Sequence, residues 1–432
     1  MTLKVWGFAE FLPNQQRVVD FVQSTVVQSA KLYWYESITT CSVERDEVLL
    51  KGWEATSKEI YGLYGMATWP KDVKGYGLHF DLTVPFTRYI ADNAWSLSFP
   101  FKRVQSQQCR RGERPQKWRF REFVQADVDV LWHHADKSRA LYEAEVVHVL
   151  WSALTKIFDT LQVNQNWKIH INNRNLLQWV FRSVSDTEAT ISELSTLVDK
   201  YYKMEREQFE ESIIKLLWEE KWSQFLERMS LPLDKLNTYE AWNDLYNQWV
   251  QELKDTILTL EQMSPTFKRV YDPTIVRGLD YYTWVVFETF IEWSMQRWSI
   301  CSWWRYDNLV QEVDPKAQEF DGVGWSIGVS RLSAWLFEQW ITELPWAERV
   351  LIASLEWTWE NAQLIAQSLR DQWKQISLYP QSDKLGKQYS YAEKSWFTHV
   401  IICWPREVEQ WIYMIKELAT GEQTLHPLPE LA

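Results

Sequence analysis

Apolar positions near the start of the chain recur at helical steps. Val18, Phe21, Val22, Thr25, Val26, Ser29 and Leu32 fall three and four residues apart, which predicts a helix over residues 12–33 with one apolar-to-small face. Residues 76–90 (YGLHFDLTVPFTRYI) begin with the alternation of a strand and stop at Pro85. Residues 99–132 read as two strands, FKRVQSQQCR and REFVQADVDVL, joined by the polar loop GERPQKWR into a long hairpin with a charged tip. Residues 138–162 read as a helix and KIHIN as a strand. From Asp186 to about Gln262 the chain is charged, helical and poor in strand signals, the character of an insertion. Strand patterns resume in YDPTIVRGLDYYTWVVFETFIEW, SWWRYDNLV and DGVGWSIGVSRL, the last running into a helix. After Pro345, strands (RVLIASL, QISLYP, THVIICW) alternate with helices (NAQLIAQSLRDQ, YSYAEKSW), which predicts a small α/β unit with both sheet faces covered.

Length changes this picture little: 432 residues allow about two or three domains. Charge excludes more. The formal net charge of −12 lacks the basic excess of a nonspecific nucleic-acid binder, although local basic clusters can still bind phosphate. The four cysteines (Cys41, Cys109, Cys301, Cys403) are far apart, with no CxxC or Cys/His spacing, so a reduced cytoplasmic setting is expected and a structural metal is not. No run of 18 apolar residues predicts a membrane span, and the N-terminus meets charge too soon for a signal-peptide core.

Two counts stand out. Tryptophan supplies 29 residues and glycine only 13, about 3% against a usual ~7%. Trp34, Trp373 and Trp396 each stand where a predicted helix gives way to a strand, the position that usually takes glycine because it needs a left-handed backbone. The expectation is that many of these positions are glycine in the protein as made. Some bacterial lineages read UGA as glycine, and a translation that reads it as tryptophan would produce this pattern.

The hairpin carries the strongest chemistry. Arg110, Arg111, Arg114, Lys117, Arg119 and Arg121 crowd it, with Glu113 inside the loop. Guanidinium forks bind phosphate bidentately, so the hairpin suits a nucleoside triphosphate, and Phe123 could stack on a base. The stretch resembles motif 2 of class II aminoacyl-tRNA synthetases, and closely that of the histidyl-tRNA synthetases, with Trp118 where that family has glycine. IVRGLDYYT (275–283) and CSWWRYDNL (301–309) are similar to the family's two histidine motifs, the second with Trp303 and Trp304 in place of two glycines. VGWSIGVSRL (323–332) resembles motif 3, and FDLTVPFTRY (80–89) the family's substrate-entry strand. DKLGKQYSYAEKSW and TGEQ resemble its anticodon-binding domain.

The resemblance implies an α+β fold. A class II catalytic domain on an antiparallel sheet would occupy residues 1–185 and 263–343, a helical insertion 186–262 and an α/β anticodon-binding domain 347–432. It implies ATP-dependent joining of L-histidine to tRNA(His) through histidyl-adenylate, with Mg2+ on the phosphates, in a cytoplasmic homodimer paired through motif 1 near the N-terminus. Arg111 would hold the α-phosphate and Arg331 the γ-phosphate, with Arg277 steadying the α-phosphate as the adenylate forms. Glu113, Arg119 and Phe123 would complete the ATP site. Asp81 and Thr83 would take the substrate ammonium, and Gln125, Asp129, Tyr281, Tyr282 and Tyr306 would line the histidine pocket. A neutral imidazole needs one acceptor and one donor, which a carboxylate and a tyrosine hydroxyl supply. A non-catalytic paralogue, such as the synthetase-like regulatory subunit of histidine biosynthesis, would not need Arg111, Glu113, Arg277 and Arg331. A synthetase for proline, threonine or glycine would lack the paired histidine motifs.

Overall fold

Helix α1 (Pro13–Lys31) starts on proline, whose missing N–H would have no partner there, and buries Val18, Val22, Val26 and Ala30 along one face. It closes with Tyr35 N–H on Ala30 O and Trp34 N–H on Lys31 O, the Schellman arrangement, and Trp34 takes φ +67°. β1 (Glu36–Ser37), β2 (Val43–Arg45), α2 (Asp46–Leu49), β3 (Tyr76–Leu78) and α3 (Thr83–Asn93) follow. Here the structure departs from the strand alternation expected from residue 76 up to Pro85. The strand is three residues long, and FDLTVPFTRY is a loop entering a helix. Pro85 is the third residue of α3, within the first turn, where no backbone N–H is required.

The computed structural model describes residues 3–50, 58–63, 75–134, 139–164, 166–238, 244–275, 283–291, 298–307, 309–344, 348–353, 355, 358–372, 374–381 and 383–428. They fall into two compact units, residues 1–342 and 343–432. The first unit continues with β4 (Phe101–Arg110), β5 (Glu122–His133), α4 (Arg139–Thr160), β6 (Trp167–Asn173), α5 (Arg174–Val184), α6 (Glu188–Asp199), α7 (Arg206–Leu216), α8 (Glu219–Met229) and α9 (Asp244–Met263). It ends with β7 (Arg269–Tyr271), β8 (Thr283–Ile291), β9 (Trp298–Asp307), α10 (Leu309–Val313), β10 (Phe320–Gly328) and α11 (Val329–Glu338).

Eight strands form one sheet in the order β1-β4-β5-β10-β9-β8-β6-β7, antiparallel from β4 through β6, with β1 and β7 added in parallel at the edges. Alternation gives its two faces opposite characters. Val104, Ala126, Val128, Val130, Val323, Trp325 and Ile327 are fully or almost fully buried on the face over which α1, α4 and α11 pack. The other face is polar at its centre. At one end of it Phe101, Leu131, Trp304, Tyr306 and Phe320 share a core with Val84, Phe86 and Ile90 of α3 and with α10.

The helical region has its own core, in which Leu177, Phe181, Ile191, Leu194, Phe209, Ile213 and Phe225 meet. That core draws on α5, which lies before residue 186. α9 packs instead along α4, where Thr256 Oγ1 donates to Glu143 Oε2 at 2.7 Å. A second polar tie joins this region to the sheet. Asp272 Oδ2 pairs with His170 Nδ1 at 2.6 Å and accepts from the Tyr202 hydroxyl.

The second unit contains β11 (Val350–Ala353), α12 (Trp359–Asp371), β12 (Ile376–Leu378), α13 (Leu385–Lys394), β13 (His399–Ile402), α14 (Pro405–Glu409), β14 (Ile412–Glu417) and β15 (Gln423–Pro427). Its sheet runs β12-β11-β13-β14-β15, parallel over the first three strands and antiparallel over the last. Val350 and Ile352 pack with α12, and Leu351 and Ala353 with α13, so both faces of the parallel part are covered.

Among the described residues six non-glycine positions have a left-handed backbone: Trp34, Trp118, Gln162, Trp340, Trp396 and Trp411. Trp340 and Trp396 end their helices as Trp34 does, with the following residue bonded five back, Ile341 to Leu336 O and Phe397 to Ala392 O. Trp373, also expected at a junction, lies outside the described residues.

Candidate active site

The polar centre of the sheet is built by register. Arg103, Gln105 and Gln107 of β4 stand opposite Asp129, Asp127 and Gln125 of β5, and Gly324 of β10 stands opposite Asp129 on its other side. Tyr306 of β9 lies opposite Gly322. Both glycines are required by space. A Cβ on Gly324 would come 2.0 Å from Asp129 Oδ1, and one on Gly322 would come 2.4 Å from the Tyr306 ring. Tyr306 Oη donates to Asp129 Oδ1 at 2.9 Å, and Gln125 Nε2 donates to Asp127 Oδ1 at 2.9 Å.

Charge is concentrated here. Asp127, Asp129 and Asp81 are all buried. Burial drives Asp129 up to about 7, with Arg103 opposing the shift and Asp127 adding to it. Asp81 is likewise pushed up to about 7, by burial first and then by the charge of Asp127, against Arg111. Burial also raises Asp127. Asp81 precedes α3 and accepts from Val84 N at 3.3 Å. Thr83, the first residue of α3, has its hydroxyl buried without a hydrogen-bond partner among the described residues. A carboxylate and a hydroxyl at a helix entrance, next to two more carboxylates, suit a cationic amine.

The β4–β5 hairpin carries the basic residues. Arg111 Nε donates to Phe80 O at 3.0 Å, which fixes the guanidinium beside Asp81, and its plane lies 5.1 Å from the Phe123 ring centre. Glu113 pairs with Arg119. Arg331, in the first turn of α11, donates through Nη1 to Ser299 O at 3.1 Å and through Nε to Trp118 O at 3.4 Å, so it meets the hairpin tip. Cys109, opposite Phe123, is buried and its thiol is pushed up by burial, which leaves it neutral. Among the described residues no group of three or more His, Cys, Asp or Glu side chains could hold a metal, and no helix is long and apolar enough to cross a membrane.

Of the residues singled out in the sequence, Gln125, Asp129 and Tyr306 share the sheet centre, with Asp81 and Thr83 at the entrance of α3. Arg111, Glu113, Arg119 and Phe123 lie along the hairpin, and Arg331 joins them from α11. Arg277, Tyr281 and Tyr282 lie outside the described residues. Sequence reasoning passed over Arg103, Gln105 and Asp127. Their signal was present: positions 103, 105 and 107, and 125, 127 and 129, are polar at every second residue of strands whose intervening positions are apolar or small.

An antiparallel sheet in this order defines a class II aminoacyl-tRNA synthetase when it carries an arginine-rich hairpin on two central strands and an arginine in the helix after β10. A family model described as histidyl-tRNA synthetase matches residues 7–332, and one described as anticodon binding domain matches residues 349–432. The chain belongs to the histidyl-tRNA synthetase family. It is 33% identical to a histidine–tRNA ligase of Micrococcus luteus over 96% of this chain and 93% of that protein. It is 33% identical to the ligase of Clostridium acetobutylicum, over 96% of each. A crystal structure of histidyl-tRNA synthetase from Nostoc sp. PCC 7120 superposes with a TM-score of 0.85 at 28% identity, covering 99% of this chain and 97% of the other.

Proposed function

We infer that the chain is a histidine–tRNA ligase. It activates L-histidine with ATP to histidyl-adenylate and passes the histidyl group to the 3′ end of tRNA(His). The observation that carries this reading is the Asp129–Tyr306 pair, a buried acceptor and a buried hydroxyl 2.9 Å apart on the face that also bears Gln125. A site of this kind rejects side chains without matching polar groups, because its own would stay buried and unpaired.

In this reading Asp81 and Thr83 receive the ammonium, and Gln125, Asp129, Tyr281, Tyr282 and Tyr306 receive the imidazole. Arg111 binds the α-phosphate and Arg331 the γ-phosphate of a bent triphosphate. Two cations at opposite ends orient it for in-line attack by the histidine carboxylate, and pyrophosphate leaves. Glu113, steadied by Arg119, accepts from the adenine amino group while Phe123 stacks on the ring. Arg277 meets charge developing at the α-phosphate. Mg2+ would come as part of the nucleotide substrate and would neutralise phosphate charge, since no acidic cluster among the described residues is arranged to hold it. Residues 347–432 serve the tRNA, and the enzyme works in the cytoplasm. Two copies pair through the N-terminal region, where Leu3, Val5, Trp6, Leu12 and Leu32 are exposed.

Glycine stands at 118, 303 and 304 in the working enzyme. Trp304 occupies the core shared with Phe80, Val84 and Tyr306, beside the sheet centre that the substrate needs. The test is ATP–pyrophosphate exchange by the chain carrying those three glycines. Exchange that depends on histidine is expected; exchange driven by proline or threonine but not histidine would sink the assignment.

A further inference from the structure

We propose that Arg103 is a positioning residue that fixes Asp129 as a charged proton acceptor for the substrate imidazole. The inference deepens the functional reading above and rests on it. Arg103 is fully buried, although it bears a permanent charge. Its Nη2 lies 2.8 Å from Asp129 Oδ2 and 3.5 Å from Asp127 Oδ2, and donates to Leu82 O at 3.4 Å, between Asp81 and Thr83. Its plane rests 4.2 Å from the centre of the Phe86 ring in α3. One guanidinium therefore ties together the carboxylate of the imidazole pocket, its neighbour on β5, and the loop offered to the ammonium.

Burying a cation so completely is costly unless it neutralises something that must stay charged. Two carboxylates at positions 127 and 129 repel each other, and alone one would hold a proton at neutral pH. A protonated Asp129 offers a donor to whichever imidazole nitrogen meets it, so it no longer selects an N–H. Arg111 faces the same cluster from the hairpin, Asp81 from the loop before α3, Tyr306 from β9 and Tyr35 from beyond α1. Among the described residues it is Arg103, and not Arg111, that forms an ion pair with Asp129.

The experiment uses the enzyme that passes the exchange test, with Arg103→Met, Arg103→Lys and Asp127→Asn, each measured from pH 6 to 9. Arg103→Met is expected to raise the KM for histidine about tenfold at neutral pH, with the KM for ATP nearly unchanged. The acidic limb of kcat/KM for histidine should move up by about one pH unit or more, because loss of a nearby cation raises a carboxylate's pKa. Lysine should restore much of both. Asp127→Asn should move the same limb down, since it removes a like charge. An equal loss at every pH, a parallel rise in the KM for ATP, or lysine no better than methionine would reduce Arg103 to a packing role. If Arg103→Met does not fold, the opposite shifts of the lysine and Asp127→Asn variants decide the matter. Failure of the unaltered enzyme to use histidine would instead overturn the functional reading.

Backbone angles carry a separate point: we infer that positions 34, 118, 340, 396 and 411 are glycine in the native protein. Five of the six described left-handed non-glycine residues are tryptophan, with φ between 54° and 67°. Three of them (Trp34, Trp340 and Trp396) occupy the left-handed position of Schellman-type helix ends, and Trp118 sits in the two-residue turn between Gln116 and Arg119. These places select for the absence of a Cβ. At 34 and 340 a bulky aromatic gains nothing, since Trp34 is 83% and Trp340 91% exposed, whereas Trp118 is buried and bonded to Glu338, so at 118 the backbone angle alone carries the inference. Peptide masses of the protein from its native source decide it. Each of the five peptides should be lighter than the tryptophan sequence requires by C9H7N, an indolylmethyl group replaced by hydrogen. An unshifted mass at 34, 340 or 396 would overturn the inference.

Discussion

A left-handed tryptophan and a packed tryptophan have opposite energetics in this chain. Trp34 projects into solvent from a strained backbone, so replacing it with glycine relieves ~1–2 kcal/mol of steric strain and loses little buried surface. The greater freedom of glycine in the unfolded chain takes back ~0.5–1 kcal/mol. Trp34→Gly should therefore raise the unfolding free energy by a net of about 1 kcal/mol, read as a higher urea midpoint. Trp167 is 8% exposed in β6, with its ring centre 4.3 Å from that of Trp151 and 5.7 Å from that of Phe158. Trp167→Gly should cost about 4 kcal/mol, as loss of a buried aromatic does. If both variants shift the midpoint the same way, backbone strain is not what separates them.

Elements in the first unit are joined by a few buried polar clusters as well as by apolar surface. Asp272 follows β7 and binds His170 of β6, Thr274 of its own loop, and Tyr202 from the turn after α6. Burial alone would raise its carboxyl, but these hydrogen bonds, His170 first, hold it below the ordinary carboxylate range. Its native pKa is depressed, so the unfolded chain binds the proton more readily. The stabilisation is then fully present above about pH 4 and is lost as pH falls through the lower native value. Asp272→Asn should cost about 3 kcal/mol at pH 7, because it leaves His170 and Tyr202 without their charged acceptor. The deficit relative to the parent should shrink in urea melts taken progressively below pH 4. A constant deficit would mean that the carboxylate charge contributes nothing. Arg277, proposed to meet the α-phosphate, follows soon after in the chain, so the variant should also lower histidine activation.

At the scale of the whole molecule the two units have separate cores and separate sheets. A chain ending at Thr342 should keep histidine-dependent exchange within a few-fold and lose most tRNA charging, because every group proposed for adenylate formation belongs to the first unit. Equal loss of both activities in a folded truncation would place part of the active site, or of the dimer, in residues 343–432. The hairpin and the helices at 13–31 and 139–160 were legible in the chain, because their apolar periods are long enough to exclude alternatives, and the α+β class followed from the resemblance of the motifs. The strand expected from 76 up to Pro85 was legible only in its first three residues. A short apolar run with a proline fits either state, and the packing of Val84, Phe86 and Ile90 against Phe101 and Leu131 selected the helix.

The sequence by itself determined the family, through motifs whose residue types and order leave few alternatives, and it determined which positions of each strand share a face. Tertiary structure alone decided what stands across from them. Strand period is two wherever the partner lies, so alternation could mark 103, 105, 125, 127 and 129 as polar but could not pair Arg103 with Asp129. That pairing follows from the register of the hairpin. The depth at which the pair lies follows from α3 closing over it and from two glycines of β10 leaving room for Asp129 and Tyr306. Burial is a property of all these elements together, and it is burial that pushes Asp81 and Asp129 up to about 7 against the opposing charges of Arg111 and Arg103.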